Sequence, residues 1–156
     1  MNTDPGPQQS TVTAQRLNDA MKRLRARLRT ESGQHSTGLT VTQLTVLGSV
    51  LREGPVTAAR LAALEHVSPQ SIAQSLAVLK AAGLVHSEPD PQDGRRKLMT
   101  ADPSATELID NLLAGRASFL ARAIDQVVAP DERKDVEKAI ELLERLAAAD
   151  LSDGGI

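Results

Sequence analysis

Apolar residues recur at helical spacing along most of the chain. Residues 12–30 carry one apolar stripe surrounded by basic residues, which predicts an amphipathic helix. Two further long helices are predicted after Pro103 and Pro130, because proline suits the first turn of a helix and apolar rows follow both prolines. Residues 1–11 show no periodicity and are predicted to form a disordered lead. Residues 150–156 are predicted to form an exposed tail.

Three shorter helices are predicted in the middle of the chain from their capping residues. Thr40 has Gln43 three residues on, which is the pattern of a capping box. Thr57 and Ser68 are predicted to cap the next two helices. Gly83 is predicted to end the last of these, because the position after a helix favours a positive φ. The apolar residues expected to be buried by the three helices are Leu44, Leu47, Leu51, Leu61, Leu64, Ile72, Leu76 and Leu79.

The stretch DPQDGRRKL, residues 90–98, departs from the helical pattern. Pro91 and Gly94 are turn residues, and apolar residues flank the stretch on both sides. A β-hairpin is therefore predicted, with arms over residues 84–88 and 97–101. The chain is predicted to be mainly α-helical with this one small hairpin.

The helix that begins after Ser68 has a polar outer side without charge near its start. Burial of its apolar stripe is predicted to leave four polar residues together on the outside, namely Gln70, Ser71, Gln74 and Ser75. Glutamine can form two hydrogen bonds to adenine, and serine can bond several base edges in the major groove of DNA. This side is therefore a candidate for reading base sequence. A merely solvated surface is the alternative interpretation.

Three consecutive cations, Arg95, Arg96 and Lys97, follow the hairpin turn. If the polar helix lies in a major groove, a hairpin of this reach can lay its tip along the adjacent minor groove, whose negative potential attracts arginine. Arg95 is predicted to enter that groove, held extended by a hydrogen bond to Asp93. Arg96, Lys97 and Lys80 are predicted to contact phosphates. The alternative is an ordinary turn whose charges keep the hairpin soluble.

Composition excludes several kinds of site. The 156 residues include no cysteine, which excludes thiolate catalysis and cysteine-ligated zinc and predicts a reducing compartment, the cytoplasm. The three histidines, His35, His66 and His86, lack the spacing of metal ligands, and no nucleophile can be paired with a base. Neither a metal, a cofactor nor an enzymatic activity is therefore predicted. Phe119 is the only aromatic residue, which disfavours binding of single-stranded nucleic acid by base stacking.

The sequence offers no signal for a membrane. No apolar run approaches the ~18 residues of a membrane span, and the N-terminus lacks the features of a signal peptide. No membrane partner is predicted.

The net charge of −2 is distributed unevenly along the chain. The first thirty residues hold six Lys and Arg against two Asp and Glu, whereas residues 101–156 hold six against twelve. A locally positive face is thus compatible with the acidic whole. The acidic C-terminal part and the uncharged outer side of the helix after Ser68 favour one alternative function, an interaction module that binds a protein and has no operator.

Three segments, in their order and spacing, resemble the winged helix-turn-helix core of the MarR family of bacterial transcription factors. They are LTVTQLTVL, LAALEHVSPQSIAQSLAVLKAAGLV and DPQDGRRKLMT. The likeness covers residues 39–100 in motif and 12–148 in architecture. Glutamine replaces the first arginine of the family's wing pattern DxRDxR, which falls on Asp90, Gln92, Asp93 and Arg95. The resemblance implies that the wing-tip contact of the Asp93 and Arg95 pair is retained.

The resemblance also implies a homodimer that binds a pseudo-palindromic operator in double-stranded DNA, with its two reading helices ~34–36 Å apart. It implies a dimerisation helix over residues 12–30, a winged helix-turn-helix over 38–101 and two dimerisation helices over 103–149. Thr40 and Thr57, at helix starts, are added as phosphate contacts, with helix capping alone as the alternative interpretation. The residues predicted to contact DNA are thus the base readers Ser68, Gln70, Ser71, Gln74 and Ser75, the wing pair Asp93 and Arg95, and the phosphate contacts Lys80, Arg96, Lys97, Thr40 and Thr57.

A small-molecule effector is a further implication of the resemblance. Family members are often repressors that release DNA when a lipophilic anion enters a pocket between the dimer helices and the winged domain. Arg16, Arg23 and Arg27 on the first helix are the candidate anion contacts, with solvated arginines as the alternative interpretation. The identity of an effector does not follow from these residues.

Overall fold

The computed structural model describes residues 7–150 and is mainly helical. The prediction of a mainly α-helical fold with a small β-hairpin is confirmed, and a short strand makes the sheet three-stranded. A 3₁₀ turn, Gln34–Thr37, lies between the first two helices. The remaining elements are α1 Pro7–Glu31, α2 Val41–Glu53, β1 Val56–Thr57, α3 Ala58–Glu65, α4 Pro69–Ala81, β2 Val85–Pro89, β3 Lys97–Ala101, α5 Pro103–Val127 and α6 Arg133–Ala147.

Two predicted boundaries differ from the observed ones. Helix α1 begins at Pro7, so the prediction of a disordered lead is wrong for residues 7–11, where the run after the proline contains no helix breaker. Residues 1–6 of that lead and residues 151–156 of the predicted tail lie outside the described residues. Helix α6 begins at Arg133 and not at Pro130, because a turn precedes it in which the Glu132 carboxylate accepts a hydrogen bond from the backbone N–H of Ala129 at 3.0 Å.

The predicted caps are confirmed. The Thr40 hydroxyl accepts from the backbone N–H of Gln43 at 3.2 Å, and the Gln43 side chain accepts from the backbone N–H of Thr40 at 2.9 Å. The hydroxyls of Thr57 and Ser68 accept the corresponding backbone N–H groups of α3 and α4. Gly83 follows α4 with a φ of 72°, which favours glycine. Each helix of the central region therefore begins where its capping residue stands in the sequence.

The sheet contains one strand that the sequence pattern did not predict. Strand β1 has two residues and pairs with β3, so the strand order is β1, β3, β2, all antiparallel. Met99 of β3 lies opposite Val56 of β1 and Ser87 of β2, and its side chain is buried. Two residues are too few to show an alternating pattern, which explains why β1 was missed.

One core holds the central helices against this sheet. Its most deeply buried residues include Leu47, Leu61, Ile72, Leu79 and Val85. Helix α2 packs against both α4 and β3, and this two-sided packing buries Val46 and Val50 as well as the predicted Leu47. Two residues predicted to be buried, Leu51 and Leu64, are only partly covered. The core fixes α4 and the hairpin β2–β3 as neighbours, since α4 also packs against β2.

The chain divides into two compact units within α5, after Ala117. The first unit contains the winged region, and the second contains the end of α5 and all of α6. Helix α6 has no buried residue, although Val136, Ile140 and Leu143 form an apolar stripe along it. Helix α1 of the first unit likewise exposes Val12 and Leu24.

Asp102 joins the wing to helix α5. One of its carboxylate oxygens accepts from the Ser104 hydroxyl at 2.6 Å and from the Ser104 backbone N–H at 2.9 Å. The other oxygen lies 2.8 Å from Nε2 of His86 on β2. The hydrogen bond from the Ser104 hydroxyl, followed by that from His86, lowers the pKa of Asp102 from 3.8 to about 2.

Replacing Asp102 with Asn is expected to lower stability only at pH values where the carboxylate is ionised. Because the pKa is depressed in the folded state, its contribution is present above about pH 4 and is lost as the pH falls towards 2. Urea midpoints of wild type and variant should therefore converge between about pH 5 and about pH 2. Asp110→Asn on α5 is the matched control. A difference for Asp102→Asn that is as large near pH 2 as at neutral pH contradicts the assignment.

Candidate nucleic-acid interface

The outer side of α4 presents fewer of the predicted reading residues than the sequence suggested. Gln70 and Gln74 are exposed, and Ser71 is half-buried. Ser75 is only 6% exposed, so its prediction as an outward reading residue is wrong. It lies three residues after Ile72 and four before Leu79, and this spacing places it on the buried stripe of the helix.

Three predicted DNA contacts are hydroxyls at helix starts. The oxygen atoms of Thr40, Thr57 and Ser68 each accept a backbone N–H at 3.1 to 3.2 Å. A hydroxyl that accepts in this way keeps its own proton for donation to another acceptor. The caps are confirmed, and the phosphate contacts of Thr40 and Thr57 and the base contact of Ser68 stay predictions. Lys80 lies in the last turn of α4 and is exposed.

Two aspartates build the turn of the wing. The carboxylate of Asp90 accepts from the backbone N–H of Gln92 at 2.9 Å, and that of Asp93 accepts from the backbone N–H of Arg95 at 3.1 Å. The backbone closes the same turn, because the N–H of Asp90 donates to the carbonyl of Arg96 at 2.9 Å. Aspartate favours such turns because its side chain bonds the backbone two residues further on. Gln92 takes part in this turn through its backbone N–H.

The carboxylate of Asp93 does not hold the side chain that was predicted. Its second oxygen lies 3.6 Å from Nε of Arg96, so the ion pair forms with Arg96 and not with the guanidinium of Arg95. The reason is the turn itself, in which the Asp93 carboxylate bonds the main chain of Arg95. Within residues 7–150 the guanidinium of Arg95 has no hydrogen-bond or ion-pair partner. Arg95 is therefore the cation of the wing tip that is available to a phosphate or a base edge.

The wing tip projects beyond the sheet. The last residue pair of the hairpin is Pro89 with Lys97, and residues 90–96 form the loop past it. Arg95, Arg96 and Lys97 are all exposed. The first unit therefore presents an uncharged helix side and, on the neighbouring hairpin, a loop with two exposed arginines.

A cavity of about 410 Å³ lies in the same unit, among α1, the 3₁₀ turn, α2 and α5. Four arginines line it, together with apolar residues that include Leu28, Leu44 and Leu112. The arginines are Arg25, Arg29, Arg52 and Arg116. Arg16, Arg23 and Arg27, the candidate anion contacts, do not line it, and Arg27 instead pairs with Glu31 at 2.9 Å.

Two of the cavity arginines are linked to buried polar groups. Arg116 donates to the side-chain oxygen of buried Gln34 at 3.4 Å, while its own Nε is buried without a hydrogen-bond partner. Arg52 donates to the hydroxyl of buried Ser49 at 2.9 Å, and that hydroxyl also bonds Glu65 at the end of α3. Sequence reasoning missed this cluster. Arg25 and Arg29 lie one helical turn apart, but only the tertiary fold brings Arg52 and Arg116 beside them.

Comparison with known proteins decides the family. A family model described as "MarR family" matches residues 37–96. An HTH-type transcriptional regulator of Mycobacterium leprae is 32% identical over 127 residues, which cover 81% of this chain and 87% of that relative. The chain belongs to the MarR family of transcriptional regulators.

Solved structures agree with the assignment of this MarR-family chain. A transcriptional regulator of Pseudomonas aeruginosa has 30% sequence identity and a TM-score of 0.79, covering 94% of this chain and 100% of that one. A MepR variant of Staphylococcus aureus, solved bound to an oligodeoxyribonucleotide, has 16% identity and a TM-score of 0.66 over 83% of this chain and 97% of that one. At this low identity the second comparison shows the fold alone. The winged helix-turn-helix fold is thus confirmed.

Other kinds of site are not found in the part of the chain that the structure describes. Residues 7–150 contain no group of three or more side chains placed to hold a metal ion. None of the helices described is both long enough and apolar enough to cross a membrane.

Proposed function

We propose that this MarR-family protein is a homodimeric repressor that binds a specific double-stranded operator and leaves it when a small anion occupies the arginine-lined cavity. One observation carries the DNA-binding part. The exposed, uncharged outer side of α4 lies next to a hairpin whose tip carries a guanidinium without a partner. As such a regulator the protein acts in the cytoplasm, a reducing compartment with which a chain without cysteine and hence without disulfides is compatible.

The dimensions of DNA fit this arrangement. A B-DNA major groove is about 12 Å wide and admits one α-helix, whereas the minor groove is about 6 Å wide and admits an arginine side chain. Helix α4 supplies Gln70, Gln74 and Ser71 to the bases. Thr40, Thr57, Lys80, Arg96 and Lys97 supply hydroxyl protons and positive charge to the phosphates, and the hydroxyl of Ser68 at the start of α4 supplies a proton to a base edge. The wing supplies Arg95 to the minor groove.

Exposed apolar stripes support a homodimer. Ile140 and Leu143 on α6 are 46% and 42% exposed, and Val12 on α1 is 56% exposed. A helix of 15 residues with no buried side chain is marginal in water unless its apolar stripe is covered. Two-fold homodimers are the commonest oligomers, and they match a palindromic operator.

The cavity supports the effector. Its volume of about 410 Å³ lies within the usual range for small-molecule sites. A lining of four arginines and several leucines favours an aryl carboxylate, whose ring packs against the leucines while its charge pairs with guanidinium groups. A ligand that draws Arg52 away competes with its bond to Ser49, and Ser49 in turn bonds Glu65 just before the turn into α4. This provides a route from the cavity to the reading helix.

Arg95→Ala is expected to weaken operator binding by about 1–3 kcal/mol, roughly 5- to 150-fold in Kd, with little loss of stability. The reason is that this guanidinium has no partner within the described chain, so its removal breaks no internal contact. Fluorescence anisotropy measures the change with an operator fragment that the wild-type protein has selected from genomic DNA. Lys134→Ala on α6 removes the same charge outside the winged region and serves as the control. If Arg95→Ala and wild type bind the operator with equal affinity, the wing takes no part in operator binding.

Arg116→Gln is expected to weaken the binding of an anionic effector roughly tenfold in Kd, which is the contribution of about one charge-assisted hydrogen bond. The probe is 2-naphthoate, with uncharged 2-naphthamide as its matched control, and the readout is release of the operator. Naphthoate should release the DNA of wild type, and naphthamide should not. If the two compounds act alike, or if Arg116→Gln responds as wild type does, the cavity does not receive an anion.

Salt dependence separates the proposed function from an interaction module. Phosphate contacts release counterions, so log K for an operator falls steeply with log salt, whereas a largely apolar protein interface responds little. The experiment selects bound fragments from genomic DNA and then titrates the best fragment with salt. A selected palindrome with a steep slope supports the proposal. Failure to prefer any duplex at moderate salt overturns it.

A further inference from the structure

The outer row of α4 alternates amides with methyl groups. Gln70, Ala73, Gln74 and Ala77 are all exposed, and their i, i+3, i+4 and i+7 spacing places them on one side of the helix. These four residues are called the reading row. Val78 lies beside its C-terminal end and is 40% exposed, which extends the apolar surface.

The chemistry of the reading row excludes most base contacts. Guanine is most often read by Arg or Lys, and cytosine by Asp or Glu. The row contains neither type, and the only cation of α4 is Lys80 in its last turn. Glutamine amides instead match adenine, which offers one donor and one acceptor in the major groove. An alanine methyl can gain only an apolar contact there, and thymine alone offers a methyl group.

From this pattern we propose that the reading row selects A·T pairs, with Ala73 and Ala77 in contact with thymine methyl groups and the two glutamines on adenines. The inference rests on the proposed function and specifies its operator. High helix propensity explains alanine at an exposed position, but it does not explain the exposed valine beside the row, because valine is a weaker helix former.

The wing supports the same base composition. A·T-rich stretches narrow the minor groove and deepen its negative potential, which attracts an inserted arginine. Within the described residues, Arg95 is the arginine of the wing loop 90–96 whose guanidinium has no hydrogen-bond or ion-pair partner. Helix and wing therefore favour the same kind of sequence through different grooves.

The test uses the selected operator with single thymines replaced by deoxyuridine, which lacks only the methyl group. Each replacement at a contacted position should weaken wild-type binding roughly fourfold, the effect of removing about one buried methyl group. Replacement in the flanking sequence is the control and should have no effect. The Ala73→Gly and Ala77→Gly variants should each bind equally well whether one particular thymine keeps or lacks its methyl group. This result distinguishes a direct contact with the methyl group from an effect of the methyl group on DNA shape.

The outcomes distinguish the two proposals. A half-site rich in G·C pairs contradicts the A·T preference of the reading row, and so does tight binding that no deoxyuridine replacement weakens. Either result leaves the proposed function as a DNA-binding regulator in place. Sensitivity to deoxyuridine that both glycine variants retain in full also overturns it, since the methyl groups then act through DNA shape. If a glycine variant fails to fold, the wild-type deoxyuridine series decides. Absence of any duplex preference defeats the proposed function itself.

Discussion

Leu143→Glu is expected to produce a monomer that binds the operator roughly 10²- to 10⁴-fold more weakly than wild type. Leu143 lies on the apolar stripe of α6 with Val136 and Ile140, and it is 42% exposed in the single chain. A carboxylate on this stripe must be desolvated if a second subunit covers it, which opposes association. Once the subunits separate, each half-site is bound alone, and the gain from linking two contacts is lost.

Analytical ultracentrifugation measures the mass of the Leu143→Glu variant, and anisotropy measures its affinity for the operator. The matched control is Lys138→Gln, which changes the charge of α6 by the same amount on its polar side. The control should stay dimeric and bind normally. A Leu143→Glu protein that remains a dimer, with helical circular dichroism like that of wild type, removes α6 from the dimer interface.

Leu79→Ala is expected to lower the free energy of unfolding by about 2–5 kcal/mol, as truncation of a fully buried leucine does. The Leu79 side chain is 0% exposed and belongs to the core that holds α4 against the sheet. The loss combines the transfer free energy of the removed atoms with the cost of the cavity they leave. Because the same packing sets the position of the reading row, operator binding should weaken as well.

Urea denaturation with wild type and variant under identical conditions measures this effect. Val78→Ala is the control, since it truncates the adjacent residue on the same helix at a site that is 40% exposed. Its cost should be much smaller. Similar losses for the two variants would contradict the burial assigned to α4.

The parts of the fold that sequence predicted well depend on local interactions. The caps at Thr40, Thr57 and Ser68 bond backbone groups three residues away, so the pattern that reveals them is contained in a few residues. The hairpin arms and the positive φ of Gly83 are local in the same sense. Strand β1 is different, because two residues become a strand only through pairing with β3, which lies far along the chain.

The candidate site was predicted less completely, and for all but Ser75 tertiary packing is the reason. Ser75 was assigned to the outer side of α4, although its spacing to Ile72 already placed it on the buried stripe. The partner of Asp93 depends on how the wing turn closes, which residue types alone do not determine. The arginine-lined cavity joins α1, α2 and α5, and no sequence spacing brings Arg52 together with Arg116.

In the proposed complex, two subunits place their α4 helices in successive major grooves of one duplex. Hydroxyl-radical footprinting on the selected operator, combined with the mass of the complex, tests it most directly. We expect two chains per duplex and two protected half-sites about 10–10.5 base pairs apart between centres, each flanked by a protected minor groove. One chain per duplex, or a single protected site without a symmetric mate, contradicts it.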